Sequence, residues 1–255
     1  MTEHLAFVRT RIVEVLTYRF ELLFQLINPL LQLLLLAAVW RAVYAGKSEV
    51  DGVSVSTMTT YVTLSTLHAL LMHDQIVHWV EQRVRSGAVG IDLVRPIPLL
   101  RQQVLSQMSQ VAVKVPMMAV VFPVAVLTTG LVAPAAPALY ALSTLLGWLV
   151  NCCVLLLIAA VAFWTLELGG MTFLYYVVSQ FLSGALVPLW FMPDWLRTAV
   201  EWLPLQATVF TPVAIYLGKD GWRGIGVQAV WLVLLGTAVV LVWRRAVHRV
   251  VVQGG

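Results

Sequence analysis

Charged side chains are scarce in this sequence. Of its 255 residues only 11% are Asp, Glu, Lys or Arg, whereas 60% are hydrophobic and the mean hydropathy is +0.89. Soluble domains carry about 25% charged residues, so this composition excludes an ordinary water-soluble fold. The sequence therefore predicts an all-α integral membrane protein with one membrane domain over residues 1–255, long enough for about six spanning helices.

The motifs of enzymes and metal sites are also missing. There is no HExxH, Gly-x-Ser-x-Gly or Cys-x-x-Cys motif and no paired acidic cluster. Cys152 and Cys153 are adjacent in an apolar run, which predicts packing residues rather than a disulfide. The stretch RAVYAGKS resembles a phosphate loop, but Arg41 replaces its first glycine. We therefore expect no catalytic residue, no metal, no cofactor and no ATP site in this chain.

Six apolar runs predict six spans, with boundaries uncertain by several residues. They are Phe20–Val43, Thr57–His73, Val104–Leu131, Pro137–Trp164, Gly170–Leu189 and Gly224–Trp243. One side of this arrangement carries ten Lys and Arg residues and the other carries five, and cytoplasmic flanks are the basic ones. We expect the protein to lie in the cell's inner membrane, with both termini in the cytoplasm. The pI near 9.3 then reflects topology, and no nucleic-acid partner is expected.

The first 19 residues are too polar for a signal peptide, so we expect the first span to be retained. Apolar residues recur there at helical spacing, while Arg9, Arg11 and Glu14 point elsewhere. This pattern predicts an amphipathic helix over residues 1–19 that lies along the membrane surface. A merely solvated segment is the alternative interpretation.

The segment at residues 190–220 is too apolar for a solvated loop, and its prolines prevent one spanning helix. Pro193 and Asp194 can open a short helix, and tryptophans such as Trp195 favour the headgroup level. Leu205–Leu217 has the length of a re-entrant segment. We therefore predict an outer re-entrant gate, with ordinary interfacial packing as the alternative.

The second span has a polar stripe at 4-3-4-3 spacing. Its members are Tyr61, Ser65, His68, Met72 and Gln75. The stripe is a candidate substrate path, to which Tyr176 of the fifth span is added, although helix packing is the commoner reason for such a pattern. His68 and Lys114 are the deep ionisable residues, and they leave open an ion-coupled secondary transporter or channel.

The connection between spans two and three is rich in arginine, glycine and proline. It reads HWVEQRVRSGAVGIDLVRPIPLLRQQ over residues 78–103. Gly87 and Gly90 permit a change of direction, Asp92 can cap a short helix, and Pro96 and Pro98 stop it. Such an elbow suits docking to a partner protein, whereas anchoring to anionic lipid explains the arginines but not the glycines and prolines.

Three stretches together carry a family resemblance. VRSGAVGIDLVRPIP resembles the coupling signature of ABC-2 type exporter permeases, relatives of daunorubicin-type efflux permeases. The likeness extends through AFWTLELGG to FLSGALVPLWFMPDWLRTAVEWLPLQATVFTPVAIYLG and covers nearly the whole chain. It is specific for the motifs taken together and weak for any one alone.

The resemblance implies a permease subunit of an ATP-binding-cassette exporter, with an amphipathic or lipid-like substrate such as a drug, lipid or glycolipid. It implies two separate ATPase subunits that hold ATP and Mg²⁺, and a second permease chain, identical or homologous. The coupling positions are Glu81, Arg83, Arg85, Gly87, Leu93, Arg95 and Pro96, with Arg9, Arg11 and Glu14 of the surface helix. The outer-gate positions are Ser183, Gly184, Pro188, Pro193, Trp195 and Pro204.

One departure concerns the connection around Glu167, which has no Lys or Arg and leaves a second coupling contact open. Two other classes of function also remain open at this point. One is the ion-coupled transporter or channel, and the other is a purely structural membrane partner.

Overall fold

The computed structural model describes residues 19–165 and 167–253 and is almost entirely helical over them. The surface helix expected at residues 1–19, with Arg9, Arg11 and Glu14, lies outside the described part apart from its last residue. The helices are α1 Arg19–Tyr44, α2 Val55–Met72, α3 Ile76–Arg85, α4 Val89–Val94, α5 Leu99–Thr129, α6 Pro137–Ala160, α7 Gly169–Leu182, α8 Asp194–Glu201, α9 Phe210–Tyr216 and α10 Trp222–Gln253. A two-residue hairpin, β1 Glu49–Val50 and β2 Val53–Ser54, precedes α2.

Four of these helices are long and apolar enough to cross a membrane by length and composition. The qualifying stretches in the described residues are Ile27–Tyr44, Leu99–Leu127, Pro137–Phe163 and Trp222–Arg249. They correspond to the first, third, fourth and sixth predicted spans. The protein is therefore a multi-pass membrane protein built from packed helices.

The second and fifth predicted spans are not among these four stretches. The fifth was expected at Gly170–Leu189, but α7 ends at Leu182, because Ser183 and Gly184 form a turn and Leu189 lies in a separate 3-10 turn. At 1.5 Å per residue its 14 residues cover about 21 Å, less than the roughly 30 Å of a bilayer core. Helix α7 alone is thus too short to cross the bilayer core.

Helix α2, the second predicted span, is the most enclosed of the long helices, with 13 of its 18 residues buried. It contains many threonines, yet their hydroxyls donate to carbonyls three or four residues earlier in the same helix. Thr60 bonds to Ser56 O at 2.8 Å, and Thr63 bonds to Thr59 O at 2.9 Å. Buried hydroxyls cost little when they are bonded, so α2 can lie among other helices without water.

The last part of the irregular segment between α7 and α10 is buried, whereas much of α8 is exposed. All residues from Thr211 to Tyr216 of α9 are buried, and the turn before α9 packs on α6. A Cβ added to Gly147 of α6 would come within 2.8 Å of Ala207 O, and Gln228 of α10 donates to the same oxygen at 2.8 Å. Non-helical backbone at membrane depth needs such partners.

We call the end of the bundle that holds residues 78–103 the elbow end, and the end that holds Ser183–Asp220 the gate end. Each end has its own apolar core. The elbow-end core joins α3, α6 and α10 through residues such as Val77, Leu155 and Trp243. The gate-end core joins α1, α2 and α9 through residues such as Trp40 and Tyr61.

Candidate functional site

The elbow consists of two short helices and two turns. Helix α3 ends at Arg85, and the chain reverses through Gly87, whose φ of +73° lies in the left-handed region that glycine tolerates best. Helix α4 follows, and the non-helical residues from Arg95 to Pro98 lead into α5. Gly90 lies inside α4, with no positive φ, so the turn requires only the first of the two glycines.

An ion-pair cluster holds the elbow closed. The Arg83 guanidinium donates to both oxygens of Asp92, one of them at 2.8 Å, and the Arg95 guanidinium lies 3.4 Å from the same carboxylate. The Asp92 side chain is fully buried. The expectation that Asp92 caps the short helix was wrong: it is the fourth residue of α4 and pairs with α3 instead.

Gln102 fixes the return of the chain toward the membrane. Its side-chain amide donates to Asp92 O at 2.9 Å and to Ile97 O at 2.8 Å. One residue of α5 therefore binds a carbonyl of α4 and a carbonyl of the proline-containing stretch. No feature of the sequence marked Gln102, because glutamines near a helix start are ordinary surface residues.

The outward face of the elbow is apolar at its centre. Ile91 is 66% exposed and Val94 is 85% exposed, one helical turn apart on α4. Arg85, Gly87, Arg95 and Pro96 are also exposed, whereas Leu93 is partly buried against the elbow-end core. We call Ile91 and Val94 with the flanking Arg85 and Arg95 the elbow face.

Glu81 differs from the other expected coupling residues because it is buried. Its carboxylate accepts a hydrogen bond from Leu168 N at 2.9 Å, and His78 lies 4.0 Å away. Leu168 follows Glu167 in the connection between α6 and α7. The structure thus attaches this second connection to α3, in a contact that the sequence did not reveal.

A break in the helix separates α2 from α3, and its carbonyls receive donors from three other helices. Lys114 of α5 contacts Leu71 O at 3.4 Å and also donates to His73 O. Asn151 of α6 donates to Met72 O at 2.8 Å, and Tyr176 of α7 donates to Asp74 O at 2.5 Å.

The last carbonyls of a helix have no partner within the helix, so side chains from outside must satisfy them. Here they do so from α5, α6 and α7 at once. On the other side of the break, the Asp74 carboxylate accepts from Ile76 N at 2.9 Å and starts α3. We call residues 71–74 with Lys114, Asn151 and Tyr176 the carbonyl junction.

The residues of the candidate substrate path fall into two groups. Tyr61, Ser65 and His68 are buried inside the bundle and bonded there: Ser65 donates to Val62 O, and His68 lies between Leu64 O at 2.9 Å and Thr144 Oγ1 at 3.2 Å. Met72 and Tyr176 instead line a small cleft of about 60 Å³ beside α6 and the turn that precedes α9.

A hydrogen bond within the gate-end core connects the gate end to α2. Tyr61 Oη donates to Gly184 O at 2.6 Å, and Phe210 N donates to Ser183 O at 3.0 Å. Gly184 has a φ of +81°, and an added Cβ would lie 2.8 Å from Tyr61 Oη and 3.0 Å from Leu189 Cδ1. Both the backbone angle and the space there require glycine.

The remaining residues that were expected at the outer gate shape the backbone around this contact. Pro188 is buried before the 3-10 turn, and Pro193 precedes α8 and accepts from Leu196 N and Arg197 N. Trp195 is exposed on α8. Pro204 accepts from Ala207 N in the buried turn that leads to α9.

Over residues 19–165 and 167–253, no cluster of three or more His, Cys, Asp or Glu side chains could hold a metal ion. Three features of the described residues have a geometry that suits the transmission of movement: the elbow face, the carbonyl junction and the contact between Tyr61 and Gly184. Helix α2 connects the last two.

The elbow between two helices and the broken helical segment after α7 are parts of a multi-pass helical membrane protein. A family model described as ABC-2 family transporter protein matches residues 26–254. The chain belongs to this family and is the permease component of an ATP-binding-cassette transporter, which associates with ATPase partner subunits. A comparison with curated proteins finds no match.

Proposed function

We propose that this permease exports an amphipathic or lipid-like substrate, and that ATP bound by two separate ATPase subunits drives the transport through the elbow. A second permease chain, identical or homologous, completes the membrane part. The elbow end lies in the cytoplasm, together with both termini, and the chain lies in the inner membrane. ATP and Mg²⁺ belong to the partner subunits.

The observation that carries this proposal is the form of the elbow. The ion pairs of the buried Asp92 hold its two short helices together. Ile91 and Val94 nevertheless face outward, where apolar side chains gain nothing from exposure to water. Exposed apolar groups rimmed by charged ones are typical of protein docking sites. A rigid elbow can transmit a movement of the partner subunit to the membrane helices, whereas a flexible loop would not.

The carbonyl junction extends this route into the membrane. Helix α3 begins directly after the break, so a displacement of the elbow acts on residues 71–74. Lys114, Asn151 and Tyr176 bind those carbonyls, and they belong to α5, α6 and α7. A movement of one short helix would therefore reach three others together.

Helix α2 then relates the junction to the gate. Tyr61 lies 11 residues before Met72, which is about 17 Å along a helix. Its hydroxyl holds the carbonyl of Gly184, where the chain turns from α7 into the gate-end segment. We propose that a tilt of α2 loosens or tightens this contact and so opens or closes the gate.

The walls of the bundle favour a substrate with a large apolar part. Helix α7 has no buried residue, and Phe173, Leu174 and Val177 are exposed along it. Because α7 is also short, we propose that this face borders the second permease chain and the space through which the substrate passes. An apolar wall does not identify one ligand, but it disfavours small hydrophilic ones.

The contacts of His68 and Lys114 favour this proposal over ion coupling. Lys114 contacts helix-end carbonyls, and His68 bridges a carbonyl and a hydroxyl of its neighbours. These are contacts that stabilise packing, and they account for both residues without a proton path.

The proposal is tested by purification from the native host with the elbow face altered. Val94→Glu places a charge at the centre of that face, and Ala133→Glu places one on an exposed connection at the other end. We expect wild type and Ala133→Glu to retain the ATPase subunits in mild detergent and Val94→Glu to lose them. Equal retention by both variants, with normal membrane insertion, would overturn the proposal.

A further inference from the structure

A second cleft, of about 350 Å³, lies at the gate end between α8, α9 and the start of α10. Its floor includes the aromatic rings of Trp190 and Phe210, and its rim is charged. The charged residues are Arg197, Glu201, Lys219, Asp220 and Arg223. Arg197, Lys219 and Arg223 are three of the five Lys and Arg residues that the sequence places at this end.

The two acids of the cleft already have partners. Glu201 contacts Arg197 at 3.0 Å and Arg223 at 3.8 Å. One oxygen of Asp220 accepts from Gly221 N at 2.7 Å and Gly224 N at 3.3 Å, at the start of α10. These carboxylates are therefore held in place and are not free to follow a ligand.

The cations exceed the acids and leave one net positive charge. In the part of the chain that the structure describes, Lys219 is in no ion pair; its ammonium lies 5.1 Å from the centre of the Trp190 ring. Arg223 is largely exposed, and its distance to Glu201 is the longer of the two. Both side chains can accept an anion without first breaking a strong ion pair.

The position of the cleft in the membrane is inferred from exposed tryptophans in the elements around it. Trp195 and Trp202 on and just after α8, and Trp222 at the start of α10, are all exposed. Exposed tryptophans collect at the level of the lipid headgroups. The anionic group that is most abundant at this depth is the phosphate of a lipid.

We propose that this cleft binds a phosphate group, with Lys219 and Arg223 as the principal ligands and Trp190 and Phe210 as an apolar floor. The phosphate is carried by an anionic lipid of the leaflet at the gate end or is free in solution. Arginine and lysine are the common phosphate-binding side chains, and basic pockets between membrane helices bind anionic headgroups. The site does not depend on the coupling route proposed above.

The test is a titration of the purified full-length protein with phosphatidylglycerol, with the bound lipid counted by native mass spectrometry. Zwitterionic phosphatidylcholine is the comparison lipid. The test variant is Lys219→Gln with Arg223→Gln, and the matched control is Arg244→Gln with Arg245→Gln at the other end of α10, where both arginines are exposed.

We expect wild type and the control to bind one phosphatidylglycerol molecule in preference to phosphatidylcholine. The affinity of the test variant for phosphatidylglycerol should be lower by about tenfold or more. Equal affinity of the test variant and wild type would overturn the proposal. A second arm adds millimolar inorganic phosphate. Displacement of the lipid would show that the phosphate alone is recognised, whereas retention with the same dependence on Lys219 and Arg223 would identify the lipid headgroup.

Discussion

Replacing Asp92 by Asn removes the charge that joins α3 and α4 of the elbow while it keeps the size of the side chain. Breaking a fully buried ion pair costs about 3–5 kcal/mol. Here the carboxylate is fully buried, but the side chains of Arg83 and Arg95 are 26% and 43% exposed, so water screens their charges once the partner is lost. We therefore expect a loss of about 2 kcal/mol from the local stability of the elbow.

Hydrogen exchange of the backbone amides measures that loss. The amides of Gly90 and Ile91 are bonded to Gly87 O and Ala88 O at 3.1 Å, and they exchange only when the elbow opens. A loss of about 2 kcal/mol corresponds to exchange about 30-fold faster. Asp194→Asn, the same change at an exposed position of α8, should leave these amides unaffected.

Unchanged exchange at Gly90 and Ile91 in Asp92→Asn would show that other contacts, and not the ion pairs of Asp92, hold the elbow. Faster exchange over the whole chain would also contradict the prediction, because the ion-pair cluster is assigned to the elbow alone. The expected result is a local change limited to residues 83–98.

Two further substitutions test the gate and the carbonyl junction. Gly184→Ala should lower the stability measured by thermal unfolding in detergent by about 2–4 kcal/mol, because of the backbone angle of Gly184 and its contact with Tyr61. Gly226→Ala, at an exposed position of α10, should be neutral or slightly stabilising. Equal melting of the two variants would contradict the close packing. Lys114→Met should cost about 1–3 kcal/mol because it leaves helix-end carbonyls unbonded, while the exposed Lys47→Met should cost less than about 0.5 kcal/mol. A fully stable Lys114→Met protein that lost only uncoupler-sensitive transport would instead favour ion coupling.

The long apolar helices could be predicted from the sequence because the bilayer sets their length. Four of the six predicted spans correspond to helices that are long and apolar enough to cross. The end of α7 could not be placed, since hydropathy stays high from Gly170 to Leu189 and only the left-handed turn at Gly184 interrupts the helix. A run of apolar residues says nothing about such a turn.

The elbow was predicted as an element, but its internal contacts were not. Glycine and proline marked its turns, whereas the partner of Asp92 depends on how α4 folds back on α3, which puts Arg83 beside it. A capping role and an ion pair place the same residue type at the same point of the sequence. Three-dimensional contact alone distinguishes them.

The carbonyl junction could not have been found from sequence patterns. Lys114, Asn151 and Tyr176 lie 41, 79 and 102 residues from the carbonyls that they bind. Their acceptors are backbone carbonyls, which every residue has, so residue type does not show which carbonyl is bound. The sequence showed only that a lysine lies deep in an apolar run, which left ion coupling open as a role for Lys114.

The claim that ATP-driven work enters through the elbow is tested most directly by hydrogen exchange of residues 86–98 in two preparations. One is the permease with the ATPase subunits that purify with it in the presence of an ATP analogue, and the other is the permease alone. We expect slower exchange at Ile91 and Val94 in the complex and no difference at residues 133–136 at the other end. Equal exchange at the elbow in both preparations would contradict the claim.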